Sequence, residues 1–269
     1  MQLPEARVLL TGASGGIGLA IASALCASGS RVLAVSRQRQ SLDALIEQYP
    51  RQLSWIAADL TLPADRIKVR DAAEAMGGVN LLLNAAGVNQ FAMLEQLHEE
   101  DIDNMLAVNI AAPICLTRLL LPLLKQAESA MVVNVGSTYG SIGYPGYASY
   151  CATKFALRGF SEALRRELAD TRIGVLYVAP RATRTSMNSP AAQQLNDALK
   201  SSVDDPQVVA AAVVRAIASD KRDVYLGWQE RVFVRINSLL PHLIDRGLRK
   251  QLPLIRSLSH HIKNENFKP

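Results

Sequence analysis

Six short apolar runs, each followed by a longer stretch with helical periodicity, fill the first 180 residues, and this alternation restricts the fold more than any other feature. The runs are "RVLLT" (7–11), "RVLAVS" (31–36), "LSWIAA" (53–58), "NLLLNAA" (80–86), "MVVNVGS" (131–137) and "GVLYVAP" (174–180). Unbroken apolar strands suit burial on both faces, and helical crossovers between them demand parallel neighbours. The expected class is therefore α/β, a doubly wound parallel sheet, with a last strand around Val224 to Leu226. Right-handed crossovers collect the loops that follow the strands along one edge, where such sheets bind ligands. Functional residues should cluster there. One domain is expected over 1–226, with 227–269 as a basic amphipathic helical extension.

Charge distribution narrows the partners. The net charge is +5, but from residue 221 onward 10 Lys and Arg face 4 Asp and Glu, leaving 19 against 20 in the body. A near-neutral body without a nucleic-acid-binding motif argues against nucleic acid. No apolar run approaches the ~18 residues that span a bilayer, and "MQLPEARVLLTGASGG" has no secretory pattern, so the chain is expected in the cytoplasm. Cys26, Cys115 and Cys151 lie far apart in no metal or disulfide spacing, and His98, His242, His260 and His261 form no ligand set. Only "KNENFKP" has the composition of a disordered segment.

Between the first strand and the first helix lies "TGASGGIG", Thr11 to Gly18. Gly12 permits the tight turn, Gly16 lets the backbone approach a pyrophosphate, and Gly18 lets helix and strand pack closely, while the helix N-terminus supplies free N–H groups and a positive dipole end. This placement points to a dinucleotide. At the end of the second strand Ser36 and Arg37, with Arg39 behind, stand where an acidic residue would favour NAD(H). A hydroxyl and a guanidinium suit a phosphate monoester, so NADP(H) is favoured. Asp59 follows the third strand, where a carboxylate can accept from an adenine amino group. "NAAG", Asn84, Ala85, Ala86 and Gly87, closes the fourth strand with small residues against which an adenosine half can lie.

The stretch "YPGYASYCATK" brings Tyr144, Tyr147, Tyr150 and Lys154 together. Tyr150 and Lys154 lie four apart on an expected helix, one turn apart on one face. A phenol near pKa 10 is a poor acid or base at neutral pH unless a cation stabilises its phenolate, and Lys154 would supply one. Tyr147 is two turns from that lysine and Tyr144 precedes Pro145 and Gly146, so both are expected to line a pocket wall or to pack.

The order and spacing of "TGASGGIG", "NAAG", Asn109 in "LAVNIAA", Ser137 in "VNVGS" and Tyr150-x-x-x-Lys154 resemble the short-chain dehydrogenase/reductase family, from residue 7 to about 190. The resemblance implies a Rossmann-like fold and a mechanism in which Tyr150 is the general acid or base. Lys154 would depress its pKa and hold the nicotinamide ribose, Ser137 would polarise the carbonyl, and Asn109 would hold a water leading from Lys154 to solvent. It also implies cofactor contacts from Ser14, Gly15, Ile17, Leu60, Pro180, Thr183 and Thr185, besides the residues above. It implies a homodimer or homotetramer built on the apolar helix "EEDIDNMLAVNIAAPICLTRLLLPLLKQ" and the Tyr150 helix.

One residue departs from the family pattern. Arg181 stands where a glycine usually follows Pro180. It loses glycine's permissive φ, and either pairs with an anionic substrate group or the pyrophosphate, or faces solvent. The tail adds Val232, Phe233, Ile236, Leu239, Leu240, Leu243 and Ile244 at helical spacing, divided at Pro241, with basic residues elsewhere. Three roles fit it: a flap over the substrate pocket or a subunit interface, a membrane-surface contact, or a partner-binding segment. The resulting expectation is an NADPH-dependent oxidoreductase acting on a hydrophobic carbonyl such as a 3-oxoacyl thioester, with Tyr139, Tyr144, Tyr147 and Arg181 in the substrate pocket. The alternatives are an NAD(P)-dependent alcohol dehydrogenase of a secondary metabolite and a non-catalytic dinucleotide-sensing module.

Overall fold

The computed structural model describes residues 1–260; "KNENFKP" and His261 lie outside the described residues. The strands are β1 Arg7–Thr11, β2 Arg31–Ser36, β3 Leu53–Ala57, β4 Leu81–Asn84, β5 Ala130–Val135, β6 Ile173–Ala179 and β7 Asp223–Tyr225. Among the described residues these seven form one sheet in the order β3-β2-β1-β4-β5-β6-β7, each neighbouring pair parallel. The order reverses between β1 and β4, so the loops leaving these two strands diverge and open a crevice.

The helices are α1 Gly16–Ala27, α2 Asp43–Gln48, α3 Pro63–Ala75, α4 Glu99–Leu106, α5 Ala112–Gln126, α6 Ala148–Glu167, α7 Pro190–Ala198, α8 Pro206–Ala218, α9 Trp228–Leu239 and α10 Pro241–His260. On one face of the sheet Ile21, Ala22 and Leu25 of α1 and Val209, Val213 and Ile217 of α8 pack on Val8, Leu10 and Leu83. On the other, Val69 of α3, Leu116, Leu120 and Leu124 of α5 and Leu164 of α6 pack on Leu9, Leu82 and Val132. Each fully buried leucine adds about 1.5–3 kcal/mol, so the two layers hold the loop-bearing edge rigidly. A third cluster, with Phe91, Met105, Tyr147, Tyr150, Cys151, Leu195 and Ile255, lies beyond that edge and walls the functional site.

Two features differ from the sequence reading or extend it. Among the described residues one apolar stretch does reach membrane-spanning length: α4, a π-helical turn Ala107–Ala111 and α5 run on as one helix, Glu99–Gln126, of 28 residues. Its inner face belongs to the core, through Leu116, Leu120 and Leu124 and through buried Asn109 and Thr117, and carries the hydrogen bonds of a structural helix. The second feature is the tail, for which the sequence left three roles open. Pro241 divides it as expected, and α10 returns over the third cluster, where Ile255 is fully buried. The tail is thus a flap fixed to the body, held also by Asn237 Nδ2 donating to the Ser141 carbonyl at 3.0 Å.

Candidate active site

Thr11 ends β1 and joins it to the loop after β4. Its hydroxyl donates to the Leu83 carbonyl and accepts from the amides of Ala85 and Ala86, both at 3.1 Å. Gly12, at φ +66°, turns so closely under this loop that a Cβ there would lie 2.6 Å from Ala86 Cα. Gly16 opens α1 beneath the loop after β6, where a Cβ would meet Thr185 Cγ2 at 2.8 Å. At Gly12 the positive φ and the backbone contact leave room for glycine alone, whereas a side chain at Gly16 would have to displace Thr185. Gly15, the residue before α1, has an extended backbone and no side-chain cap, which leaves the first-turn amides of Gly16, Ile17 and Gly18 facing the crevice without a side-chain acceptor. A flat glycine cradle on an uncapped helix N-terminus fits the pyrophosphate of a dinucleotide.

The residues expected around the adenosine divide into two groups. Asp59 is half-buried, and its Oδ1 accepts from the Thr61 hydroxyl and amide, which keep the carboxyl below the usual carboxylate range. Leu60 and Gly87 stay partly exposed along the same edge. Arg37 is exposed and carries no ion pair among the described residues, and its charge also favours the Asp59 anion. Ser36 and Asn84 serve the scaffold instead. The Ser36 hydroxyl is buried, donating to the Gln38 carbonyl at 2.6 Å and accepting from the Trp55 indole at 2.8 Å. Its one proton goes to the Gln38 carbonyl and not toward a phosphate oxygen, an arrangement that departs from the expected phosphate contact. Asn84 is buried and donates to Asn134 Oδ1 at 2.8 Å and to Thr117, while Asn134 donates to Ser161; this polar chain ties β4, β5 and α6 together through the core. Arg39 is taken up by an exposed pair with Asp43.

The catalytic candidates converge. Tyr150 and Lys154 lie on one face of α6 as their spacing requires, with Lys154 Nζ 5.7 Å from the Tyr150 ring centroid. Lys154 is buried and donates to the Val135 carbonyl at 3.1 Å. Burial brings its ammonium down to about 8. The same burial pushes the Tyr150 phenol up to about 12, with the Ser137 side chain pulling in the opposite direction. Desolvation thus outweighs the expected depression of the phenol by Lys154, whose ammonium sits beside the ring and is also bonded to a backbone carbonyl. Ser137 ends the β5 loop and accepts from the Tyr139 amide at 3.1 Å. Asn109, in the π-helical turn, accepts from the Val88 amide and donates to the Val88 carbonyl, both at 2.9 Å, and donates to Thr153 at 3.0 Å. It thereby fixes the loop after "NAAG" against α6.

Tyr177 was not foreseen as part of this site. It is fully buried on β6, and its hydroxyl donates to the Ser137 carbonyl at 3.2 Å and lies where a side chain at Gly136 or Gly140 would be. A tyrosine inside an otherwise aliphatic strand was the available signal.

A cavity of about 530 Å³ opens over Ser137 and Tyr150. Ile17, Pro180, Thr183 and Thr185 line the side toward the glycine loop; Tyr139, Tyr144 and Tyr147 line another wall. Tyr139 stacks on Tyr144 at 5.1 Å and packs against Tyr147 at 5.2 Å, an offset arrangement typical of aromatic clusters. Phe233, Leu243 and Gln251 close the cavity from α9 and α10. Arg181 lines it too, but its guanidinium is held by Asp204 at 2.7 Å and by Glu230 of α9 at 3.5 Å. Neither reading of Arg181 from the sequence describes this bridge from the β6 loop to the tail. Its φ is not positive, so no glycine is needed there.

The family model described as "short chain dehydrogenase" matches residues 6–196. The chain belongs to the short-chain dehydrogenase family. Within this family it is 28% identical over 259 residues to the "Uncharacterized oxidoreductase YxnA" of Bacillus subtilis, covering 93% of this chain and 73% of that one. It is also 28% identical to the "3-oxoacyl-[acyl-carrier-protein] reductase FabG" of Thermotoga maritima, over 84% of this chain and 96% of the relative. A short-chain dehydrogenase from Burkholderia cenocepacia, solved in complex with NADP, is 30% identical and superposes with a TM-score of 0.75 over 84% of this chain and 97% of that one. As a short-chain dehydrogenase the chain is an oxidoreductase of the nicotinamide-dependent kind, which accounts for both the glycine cradle and the Tyr150–Lys154 pair.

Proposed function

We propose that the protein is an NADP(H)-dependent reductase of hydrophobic ketones, with 3-oxoacyl thioesters as the favoured substrate class. One observation carries this reading: the Tyr150 phenol and Ser137 hydroxyl line one cavity together with an apolar group made of Tyr139, Tyr144, Tyr147, Leu199, Phe233 and Leu243. The relative named as a 3-oxoacyl reductase supports the substrate class, and the solved neighbour bound to NADP supports the cofactor.

The glycine loop with Ser14, Gly15 and Ile17 would hold the pyrophosphate, Asp59 and Leu60 the adenine, Arg37 the 2′-phosphate, and Pro180, Thr183 and Thr185 the nicotinamide end. When bound, the nicotinamide supplies the hydride. The rest falls to side chains. Ser137 donates to the substrate carbonyl and polarises it. Tyr150, protonated because burial raises its pKa to about 12, gives its proton to the oxygen as negative charge develops there. Lys154 stabilises the phenolate that results. Asn109, bonded to Val88 and Thr153 beside Lys154, would seat the water that returns the proton. The exposed apolar side chains Leu106 and Phe155, on the long helix and on α6, support a homo-oligomer joined through these helices.

The test is consumption of NADPH or NADH with a panel of carbonyls, 3-oxoacyl thioesters among them. Tyr150→Phe should lose about 10²–10⁴-fold in turnover and keep its affinity for NADPH. Near-normal turnover in that variant would overturn the assignment.

A further inference from the structure

We propose that the outer face of α9 and the start of α10 dock on an anionic membrane surface, and that the cavity takes its substrate from that surface. The α9 helix is inverted relative to an ordinary surface helix. Its inward side carries buried Val234, Asn237 bonded to Ser141, and Glu230 paired with Arg181. Its outward side presents Trp228 at 68% exposure, Val232 at 43% and Phe233 at 49%, and the turn into α10 adds Leu239 at 79%, Leu240 at 56% and Leu243 at 53%. At 100° per residue the five from Trp228 to Leu240 fall within an arc of about 140°. An exposed apolar face of this kind, interrupted within the arc by Gln229, marks a contact surface on a soluble protein.

Charge decides what covers it. Between residues 228 and 260 six Lys and Arg face two acidic residues, one of them the Glu230 already paired with Arg181. Arg231 and Arg235 border the apolar arc, and Arg246, Arg249 and Lys250 are exposed on α10; none has an ion pair among the described residues. Two copies of this face would bring like charges together, which disfavours a second subunit as the occupant. An apolar arc bordered by unpaired arginines suits the boundary between anionic headgroups and acyl chains. Phe233 and Leu243 belong to this face and also line the cavity, so its mouth opens within the docking surface. A carbonyl on an alkyl chain can then pass from the bilayer to Tyr150 without crossing water. This delivery step rests on the reductase function proposed above; the docking does not.

The test is sedimentation of the full-length protein with vesicles of phosphatidylglycerol and phosphatidylcholine in equal parts, against phosphatidylcholine alone. Binding to the anionic vesicles should be at least about tenfold tighter, each basic residue near the surface adding on the order of fivefold. The Trp228→Ser/Leu239→Ser/Leu240→Ser variant and the Arg231→Glu/Arg235→Glu/Arg246→Glu variant should each lose this binding. Both sets of positions lie outside the cavity lining, so both variants should turn over a short soluble carbonyl at the wild-type rate. The docking is overturned if the protein does not pellet with anionic vesicles, if either variant pellets like the wild type, or if the apolar variant instead dissolves an oligomer in vesicle-free solution. Turnover without vesicle binding removes the docking alone, whereas vesicle binding by a protein that reduces no carbonyl removes the reductase reading alone.

Discussion

Tyr144 and Gln251, 107 residues apart, are joined by a hydrogen bond from the Tyr144 hydroxyl to Gln251 Oε1 at 3.1 Å. It fastens the tail helix to the loop that leads into the Tyr150 helix. The wall of the substrate cavity is therefore shared between body and tail. Tyr144→Phe or Gln251→Leu removes one bond worth about 1 kcal/mol, too little to unfold the protein. The expected result is a raised KM with kcat nearly unchanged, and faster amide exchange confined to α10. Unchanged exchange there would mean that Ile255 alone secures the helix.

The buried Lys154 makes reduction sensitive to pH. Burial sets its ammonium near 8 in the folded protein, against 10.5 ordinarily. Above pH 8 the folded state loses this proton while the unfolded state keeps it, so the lysine's cost to stability shrinks as pH rises from 8 toward 10.5. Activity moves the other way, because the phenolate left by proton transfer loses its cation. The ratio kcat/KM for reduction should fall about tenfold per pH unit above 8. Tyr150, near 12, stays protonated across that range, so the falling limb belongs to the lysine. Lys154→Arg should remove the limb, and a limb that persists would assign it elsewhere.

Cofactor choice should depend on Arg37 and not on Ser36. Arg37→Glu is expected to lower the preference for NADPH over NADH by about 10–100-fold, the worth of one charge-assisted bond plus repulsion of the 2′-phosphate. Ser36→Ala should leave that ratio unchanged and lower the melting temperature, because it strands the Trp55 indole N–H. Kinetics with both cofactors, beside thermal melts, separate the two effects.

Replacing Arg181 should cost stability before it costs specificity. Arg181→Ala leaves Asp204 and Glu230 facing each other without a cation, at a cost on the order of 1–3 kcal/mol. The melting temperature should fall by several degrees. Selectivity between anionic and neutral carbonyls should stay constant, and a selective loss for anionic substrates would return Arg181 to substrate recognition.

Much of this was legible in the sequence, because the signals were local. Arg31–Ser36 and Arg7–Thr11 announce themselves as unbroken apolar runs, and Tyr150 and Lys154 are joined by helix geometry alone. What escaped depends on contacts between distant segments. Ser36 reads as a phosphate ligand until Trp55 arrives from the neighbouring strand. Arg181 reads as a free cation until Asp204 and Glu230 close on it from 23 and 49 residues away. The helix from Glu99 to Gln126 reads as one apolar stretch in the sequence, but its membrane-spanning length does not, because polar residues such as Asn109, Thr117 and Arg118 interrupt the unbroken run that length reasoning looks for.

The bridge from Arg181 to Glu230 has a consequence for chain length. Of the two carboxylates on Arg181, Asp204 belongs to the body and Glu230 to the tail, so the arginine makes the β6 loop an anchor that only a chain reaching α9 can use in full. A chain ending before α9 would keep the Asp204 pair and lose the Glu230 one, leaving such an arginine half-paired at the cavity.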